Sequence, residues 1–153
     1  SRLALVPIMR SGLGMLDPML TVLPMATVHH IGMYRNPESL LPVLYFNKLP
    51  AKCESDVAIV LEPQIGTGAT VIAVVDLLKE WFATRDAAQA GASPPSRPKI
   101  KVVSVIASKE GVEKVLAAHP DVQVVVAAVD NGLDNNLPVP GFGDPGNRMY
   151  NAS

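Results

Sequence analysis

One short segment, residues 62–70, combines residue types that can bind a phosphate group without a lysine. The segment reads Glu62, Pro63, Gln64, Ile65, Gly66, Thr67, Gly68, Ala69 and Thr70. Its glycines permit positive φ and close approach of the backbone to a ligand, and backbone N–H groups at a helix start attract anions. The two threonines add hydroxyl donors, and Glu62 can accept from ribose hydroxyls. The segment predicts a phosphate-binding loop, although a plain strand-to-helix turn capped by Thr70 uses the same residue types.

Other kinds of site have less support in the composition. With 13 basic and 14 acidic side chains the net charge is −1, so no basic excess exists to neutralise a nucleic-acid backbone or a membrane surface. The single cysteine, Cys53, excludes an intrachain disulfide and a cysteine-based zinc site. His29 and His30 fall in a predicted strand, where adjacent side chains point to opposite faces. We therefore expect a soluble, cytoplasmic protein with small-molecule partners, no nucleic acid and no membrane.

The elements that position this loop follow from the apolar pattern. Strands are expected at residues 3–8, 26–34, 42–49, 57–61, 100–107 and 122–128, and helices at residues 13–23, 70–82 and 109–119. A turn at residues 35–38 joins two strands into a hairpin-like excursion. Residues 90–98 are expected to form a surface loop and residues 130–153 a loop-like tail. Because the chain starts directly on a core-like strand, we expect an N-terminal part to be absent from it.

Strands alternating with helices predict one α/β domain over residues 1–153, with a mostly parallel sheet flanked by helices. Ligands of such sheets bind beyond the carboxyl ends of the strands. The segments that begin at Arg10, Glu62 and Lys109 all follow predicted strands. They are therefore expected to meet at one edge of the sheet.

Several segments together resemble a known family. The acidic-Pro-x-x-x-Thr-Gly-x-Thr pattern of residues 62–70 looks like the loop that binds phosphoribosyl pyrophosphate (PRPP) in type I phosphoribosyltransferases. More narrowly, residues 6–15, 32–38, 118–122 and 139–148 resemble uracil phosphoribosyltransferases, in family order and across nearly the whole chain. The resemblance implies a type I phosphoribosyltransferase fold and an enzyme of pyrimidine salvage, which joins uracil to the ribose of PRPP and releases UMP and pyrophosphate.

The resemblance also implies roles for particular residues. Arg10, Arg35 and Asp144 match positions that contact PRPP and are expected to act in catalysis, while residues 62–70 are expected to hold the ribose and its 5′-phosphate. Arginine suits this role because its guanidinium offers fixed bidentate donors to phosphate oxygens. Read alone, either arginine is more typical of an exposed surface. Uracil is expected to bind largely through backbone groups at Pro138, Gly143, Asp144 and Pro145.

Mg²⁺ is expected to bind mainly through PRPP, with no metal ligands assigned to the protein. The family is oligomeric, so the resemblance implies a homodimer or tetramer; whether GTP acts as an activator stays open. The hairpin-like excursion would expose Leu44, Tyr45 and Phe46, which makes it the expected contact between subunits.

Some positions depart from the family pattern. Glu62 replaces the usual aspartate, and residues 66–70 replace Ala-Thr-Gly-Gly-Ser; both changes keep the chemistry. Pro138 stands where the family has an aliphatic residue and Pro145 where it has a small one, and a proline has no N–H to donate to uracil. Asn147 replaces an acidic residue. Two alternatives therefore stay open, a non-catalytic or regulatory paralogue that binds PRPP or a nucleotide, and a phosphoribosyltransferase for another base.

Overall fold

Most strands of the protein join one sheet in the computed structural model, which describes residues 2–88 and 99–151. The strands of this sheet are β1 (Leu3–Met9), β2 (Thr27–Val28), β3 (Ile31–Arg35), β4 (Pro42–Asn47), β5 (Val57–Leu61), β6 (Gln64–Ile65), β7 (Lys99–Ser108) and β8 (Gln123–Asp130). Their order is β4-β3-β1-β5-β7-β6, with β2 also paired to β1 and β8 also paired to β7. The surface loop predicted at residues 90–98 lies outside the described residues.

The centre of the sheet is parallel, as predicted. β1 pairs with β5, β5 with β7, and β7 with β8, all in the parallel sense. In β5, Ala58, Val60 and Leu61 are fully buried, because helices cover both faces of the central strands and leave no place for a polar side chain. The carboxyl ends of β1, β5 and β7 lead into Arg10, Glu62 and the helix that starts at Lys109, which confirms that these segments share one edge.

The predicted hairpin is also present, with one correction. β3 and β4 pair in the antiparallel sense, so the excursion forms the outer edge of the sheet. The strand predicted at residues 26–34 is in fact two strands, β2 and β3, which pair with different parts of β1. His29 and His30 therefore lie between two strands, and the prediction that both lie within one strand was wrong.

Helices pack on both faces of the sheet. They are α1 (Leu16–Val22), which follows a 3₁₀ turn at Ser11–Met15, then α2 (Ala69–Ala88), α3 (Lys109–Ala118) and α4 (Pro145–Tyr150). α2 buries Val71, Val74, Val75, Leu78 and Phe82 in the main core, whereas residues of α1 pack on the opposite face against Leu5, Ile59 and Leu61. Among residues 2–88 and 99–151, no helix is long and apolar enough to cross a membrane.

The tail predicted as loop-like is ordered, so that prediction was wrong for most of residues 130–150. β9 (Gly132–Asp134) and β10 (Leu137–Val139) form an antiparallel hairpin. Its turn residues, Asn135 and Asn136, have φ values of 48° and 65°, a conformation that asparagine tolerates better than most residues. α4 then begins at Pro145, where proline is favoured because the first helical N–H has no partner to lose.

Candidate active site

The segment at residues 62–70 follows β5, runs into the first turn of α2 and forms one wall of a cavity of about 280 Å³. Within the segment, β6 pairs with β7, and the Ile65 side chain is buried in the core, which anchors the loop. α2 begins at Ala69, so its first N–H groups face this loop. The remaining walls come from other parts of the chain and include Arg35, Asn135, Asn136, Leu137 and Asp144.

The turn of the loop has the geometry that only glycine adopts easily. Gly68 has a φ of +83°, and a Cβ placed there would lie 2.8 Å from the carbonyl oxygen of Gly111. The Thr67 hydroxyl accepts a hydrogen bond from the Arg35 guanidinium at 2.8 Å and one from the Ala69 N–H at 3.4 Å. A guanidinium, a hydroxyl and a helix N-terminus thus converge on one cavity, an arrangement that favours an anion.

A second cavity of about 360 Å³ adjoins the first. The two cavities share four lining residues, Glu62, Gln64, Leu137 and Asp144. The second one also contains Arg10, Tyr34, Pro145 and Asn147. The carboxyl edge of the sheet therefore carries one site with two compartments, divided by the start of the 62–70 loop.

Arg10 and Arg35 each serve one compartment, and each hydrogen bonds to a neutral side chain. The Arg10 guanidinium donates to the Asn147 amide oxygen at 3.3 Å and lies 5.8 Å from the centre of the Tyr150 ring. Arg35 donates to Thr67, as described above. Because these partners carry no negative charge, the positive charge of both arginines remains available to an anionic ligand.

Glu62 lies at the junction of the two compartments, and the pKa of its carboxyl group is shifted. Its side chain is only 8% exposed. Burial raises the pKa of Glu62 to about 8, while hydrogen bonds from the Ser11 hydroxyl and the Gln64 backbone act in the opposite direction. At neutral pH the carboxyl group is therefore mostly protonated, and it can both donate and accept a hydrogen bond.

The structure brings together most of the residues that the sequence nominated. Arg35, Asp144 and the polar residues of the 62–70 loop line the first cavity, while Arg10, Asp144 and Pro145 line the second. Pro138 is buried in β10, paired with Leu133, and lines neither cavity; Gly143 lines neither as well. Their assignment to a base site stays a prediction.

Other residues of the site escaped the sequence analysis. Ser11 donates a hydrogen bond to Glu62. The sequence feature that could have nominated Ser11 is its position directly after Arg10. Tyr34, which is exposed and lines the second cavity, had a signal in its place within the family-like segment 32–38, directly before Arg35. Within the described part of the chain, no three His, Cys, Asp or Glu side chains come together as a metal site.

Comparisons with known proteins identify the family of the chain. The family model described as uracil phosphoribosyltransferase matches residues 1–152. The chain belongs to this family. A uracil phosphoribosyltransferase of Roseiflexus sp. (strain RS-1) is 43% identical over 97% of the chain, and one of Halalkalibacterium halodurans is 42% identical over the same share. In both cases the chain spans 65% of the length of the curated relative.

Solved structures give the same fold. AQ2163 from Aquifex aeolicus superimposes with a TM-score of 0.79 and 31% identity, over 99% of this chain and 66% of that one. Orotate phosphoribosyltransferase from Aeropyrum pernix superimposes with a TM-score of 0.53 over 82% of this chain and 59% of that one, at 15% identity. At that identity the likeness concerns the fold alone. The family membership and the mostly parallel type I phosphoribosyltransferase fold are thus confirmed.

Proposed function

We propose that the protein transfers the phosphoribosyl group of PRPP to uracil, giving UMP and pyrophosphate. The observation that carries the proposal is the two-compartment site, in which the cavity lined by the 62–70 loop shares Glu62, Gln64 and Asp144 with a second cavity. A substrate with a phosphate at one end and a diphosphate at the other needs such a divided site. Membership of the uracil phosphoribosyltransferase family supports uracil as the acceptor.

The first compartment receives the 5′-phosphate and the ribose in this proposal. The 5′-phosphate lies against the backbone N–H groups of residues 66–70, where Gly68 leaves room and Thr67 and Thr70 add hydroxyl donors. The ribose hydroxyls lie next to Glu62, whose protonated carboxyl group can donate to one hydroxyl and accept from another.

The leaving group is stabilised by charge. When the bond from ribose C1 to the diphosphate oxygen breaks, its electron pair goes to the diphosphate. Uracil N1 bonds to C1 and gives its proton to solvent. Arg10 and Arg35, at the two compartments, stabilise the developing negative charge and position the diphosphate. The carboxylates that line the two cavities are Asp144 and the buried Glu62. So few carboxylates fit a Mg²⁺ ion held mainly by PRPP, which would supply positive charge near the diphosphate.

The base is proposed to bind near the start of α4. Asp144 caps this helix by accepting from the Asn147 N–H at 3.0 Å, which fixes the turn that precedes it. Pro145 and Asp144 line the second cavity, and Gly143 and Pro138 belong to the same segment. Backbone groups of this turn are the proposed contacts to the uracil edge.

The decisive experiment is direct. The chain of 153 residues is mixed with PRPP, Mg²⁺ and uracil, and UMP and pyrophosphate are measured by chromatography. Orotate, adenine and hypoxanthine replace uracil in parallel reactions. We expect a nucleoside monophosphate to form with uracil and with none of the other bases. A nucleotide product with another base, and none with uracil, would assign a different acceptor. Binding of PRPP without any product would favour a PRPP-binding paralogue.

We further propose that two copies associate through the β3–β4 hairpin in the cytoplasm. β4 is the outer strand of the sheet and presents Leu44, Tyr45 and Phe46, which are 43%, 51% and 38% exposed. A row of large apolar side chains on an unpaired edge strand favours association with a second chain.

A further inference from the structure

One buried hydroxyl connects the 62–70 loop to the helix behind it. Ser108 ends β7, caps the N-terminus of α3 and is 1% exposed. Its Oγ donates to the carbonyl oxygen of Gly66 at 2.6 Å and accepts from the N–H of Gly111 at 2.9 Å. A hydroxyl has one proton, and the Gly111 N–H can only donate, so the proton of Ser108 must go to Gly66. The direction of both bonds is fixed.

The bond to Gly66 sets the orientation of a peptide group in the loop. In a trans peptide the C=O and the following N–H point in opposite directions. The Gly66 carbonyl points to Ser108, which lines neither compartment, whereas Gly66, Thr67 and Gly68 line the first cavity. Holding the carbonyl on the α3 side therefore turns the Thr67 N–H to the cavity side, where an anion needs a donor.

Tight backbone contacts keep this arrangement from adjusting easily. A Cβ on Gly111 would collide with the Gly66 carbonyl oxygen, and a Cβ on Gly66 would collide with the carbonyl oxygen of Asn136. On the α3 side, a Cβ on Gly68 would lie 2.8 Å from the carbonyl oxygen of Gly111. The loop thus rests between α3 and the β9–β10 turn, and Ser108 supplies a fixed donor at the α3 side.

We propose that Ser108 is a positioning residue for PRPP, because its hydroxyl holds the Gly66 peptide in the orientation that binds the 5′-phosphate. This inference rests on the proposed function, since it assumes that the 62–70 loop binds the phosphate of PRPP. Ser108 acts through Gly66 and does not touch the substrate. Loss of the donor removes the hydrogen bond that favours this orientation, and any turn of the Gly66 carbonyl toward the cavity would repel an anion.

The test compares three substitutions, with PRPP and Mg²⁺ titrated into the full chain by calorimetry. Ser108→Ala removes both the donor to Gly66 and the helix cap. Ser108→Gly removes the donor but leaves a residue that caps helices nearly as well as serine. Ser108→Thr keeps both. If Ser108 positions the loop, Ala and Gly both weaken PRPP binding about tenfold, or about 1.4 kcal/mol, and Thr stays within about twofold of the unchanged protein.

A matched control separates positioning from general destabilisation. Ser104 lies in the same strand, is also buried, and donates to the Ile106 carbonyl at 3.0 Å, a bond within β7 that does not involve Gly66. Ser104→Ala is expected to lower thermal stability without weakening PRPP binding. In steady-state assays, Ser108→Ala and Ser108→Gly should raise the KM for PRPP and leave the KM for uracil unchanged.

Other results overturn the inference. PRPP affinity that is normal in Ser108→Gly and reduced only in Ser108→Ala would show that the serine merely caps α3. Equal weakening by Ser104→Ala would show an unspecific loss of stability. If the unchanged protein binds no PRPP, the proposed function itself fails and the inference fails with it. If the unchanged protein and the Ser108 variants bind PRPP equally well, only the inference fails.

Discussion

The guanidinium of Arg35 donates a hydrogen bond to the hydroxyl of Thr67 at 2.8 Å, which joins the outer hairpin of the sheet to the phosphate loop. Arg35 ends β3, whereas Thr67 precedes α2, so the contact spans 32 residues of sequence. Through this contact the arginine is held in the first cavity before any ligand arrives, and less ordering is required when PRPP binds.

The first prediction concerns this arginine. Arg35→Ala should weaken PRPP binding at least tenfold, because it removes a charge from the cavity and a fixed donor from Thr67. Arg35→Lys should recover only part of the loss, since an ammonium group keeps the charge but lacks the planar fork. Lys48→Ala, just beyond the end of β4, is the matched control and should leave binding unchanged. Equal affinity of Arg35→Ala and the unchanged protein in calorimetry would remove Arg35 from the site.

The second prediction concerns the glycine of the loop. Gly68→Val should abolish measurable PRPP binding, because valine does not tolerate a φ of +83° and its Cβ would press on the Gly111 carbonyl. The control is Gly14→Ala, whose Cβ would meet only the flexible end of the Met149 side chain. It should bind PRPP normally. An unchanged PRPP affinity in Gly68→Val, with an intact circular dichroism spectrum, would exclude the loop from phosphate binding.

The third prediction follows from the raised pKa of Glu62. An acid whose pKa rises from 4.5 to about 8 on folding carries no charge penalty while it is protonated, but it destabilises the native state once it ionises. The free energy of unfolding should therefore fall as the pH rises from about 4.5 through 8 and then level off. At about 1.36 kcal/mol per pKa unit, the total effect is on the order of a few kcal/mol.

Glu62→Gln isolates this effect. Glutamine cannot ionise, so the variant should lose the decline and gain stability relative to the unchanged protein as the pH rises. Asp56 and Asp121 have lowered pKa values, so the stability that they contribute is lost at acidic pH. This loss is the same in both proteins and does not affect the difference between them. Urea unfolding of both proteins from pH 5 to pH 9 provides the measurement. A stability difference that does not change with pH would disprove the assignment.

The fourth prediction concerns assembly. Replacing Leu44 and Phe46 of β4 with glutamate should shift a dimer to monomers, because buried like charges would face each other across a symmetric contact. Val125→Glu and Val129→Glu form the control: these valines are 46% and 53% exposed on β8, away from the hairpin. Light scattering at micromolar concentration reads out the mass. If the β8 substitutions dissociate the dimer and the β4 substitutions do not, the contact between subunits lies at the opposite edge of the sheet.

How far the sequence predicts the structure depends on whether the deciding contact is local. The apolar run of β5 predicted a central parallel strand because burial on both faces requires such a run. The break between β2 and β3 has no such signal. It occurs because β2 pairs with Ala4 and Leu5, whereas β3 pairs with Ile8 and Met9, and only the neighbouring strand fixes these registers.

The same limit applies to the site. Residue types nominated the 62–70 loop, the family resemblance added Arg10, Arg35 and Asp144, and in the structure these residues lie at one edge of the sheet. Ser108 was missed because its partner, Gly66, is 42 residues away in the sequence. The raised pKa of Glu62 was missed as well, since it depends on burial by surrounding elements and not on the residues beside it.

The final prediction tests the two prolines of the proposed base site. A proline at position 145 removes the N–H at the start of α4, which lies beside the second cavity. If uracil needs that donor, an unpaired acceptor costs about 1–3 kcal/mol, and Pro145→Ala should lower the KM for uracil about tenfold. PRPP use should hardly change, because the 62–70 loop and both arginines stay intact.

Pro138 offers an internal comparison. It is buried in β10 and lines neither cavity, so Pro138→Ile should improve uracil use less than Pro145→Ala does. In free-energy terms, the improvement in the KM for uracil in the double variant should be no more than the sum of the improvements in the two single variants, since the side chains act at separate points of the segment. Steady-state kinetics in both substrates distinguish the outcomes. If neither variant lowers the KM for uracil, the base contacts in this segment are carbonyl oxygens, which proline retains, and the lost N–H groups do not limit the reaction.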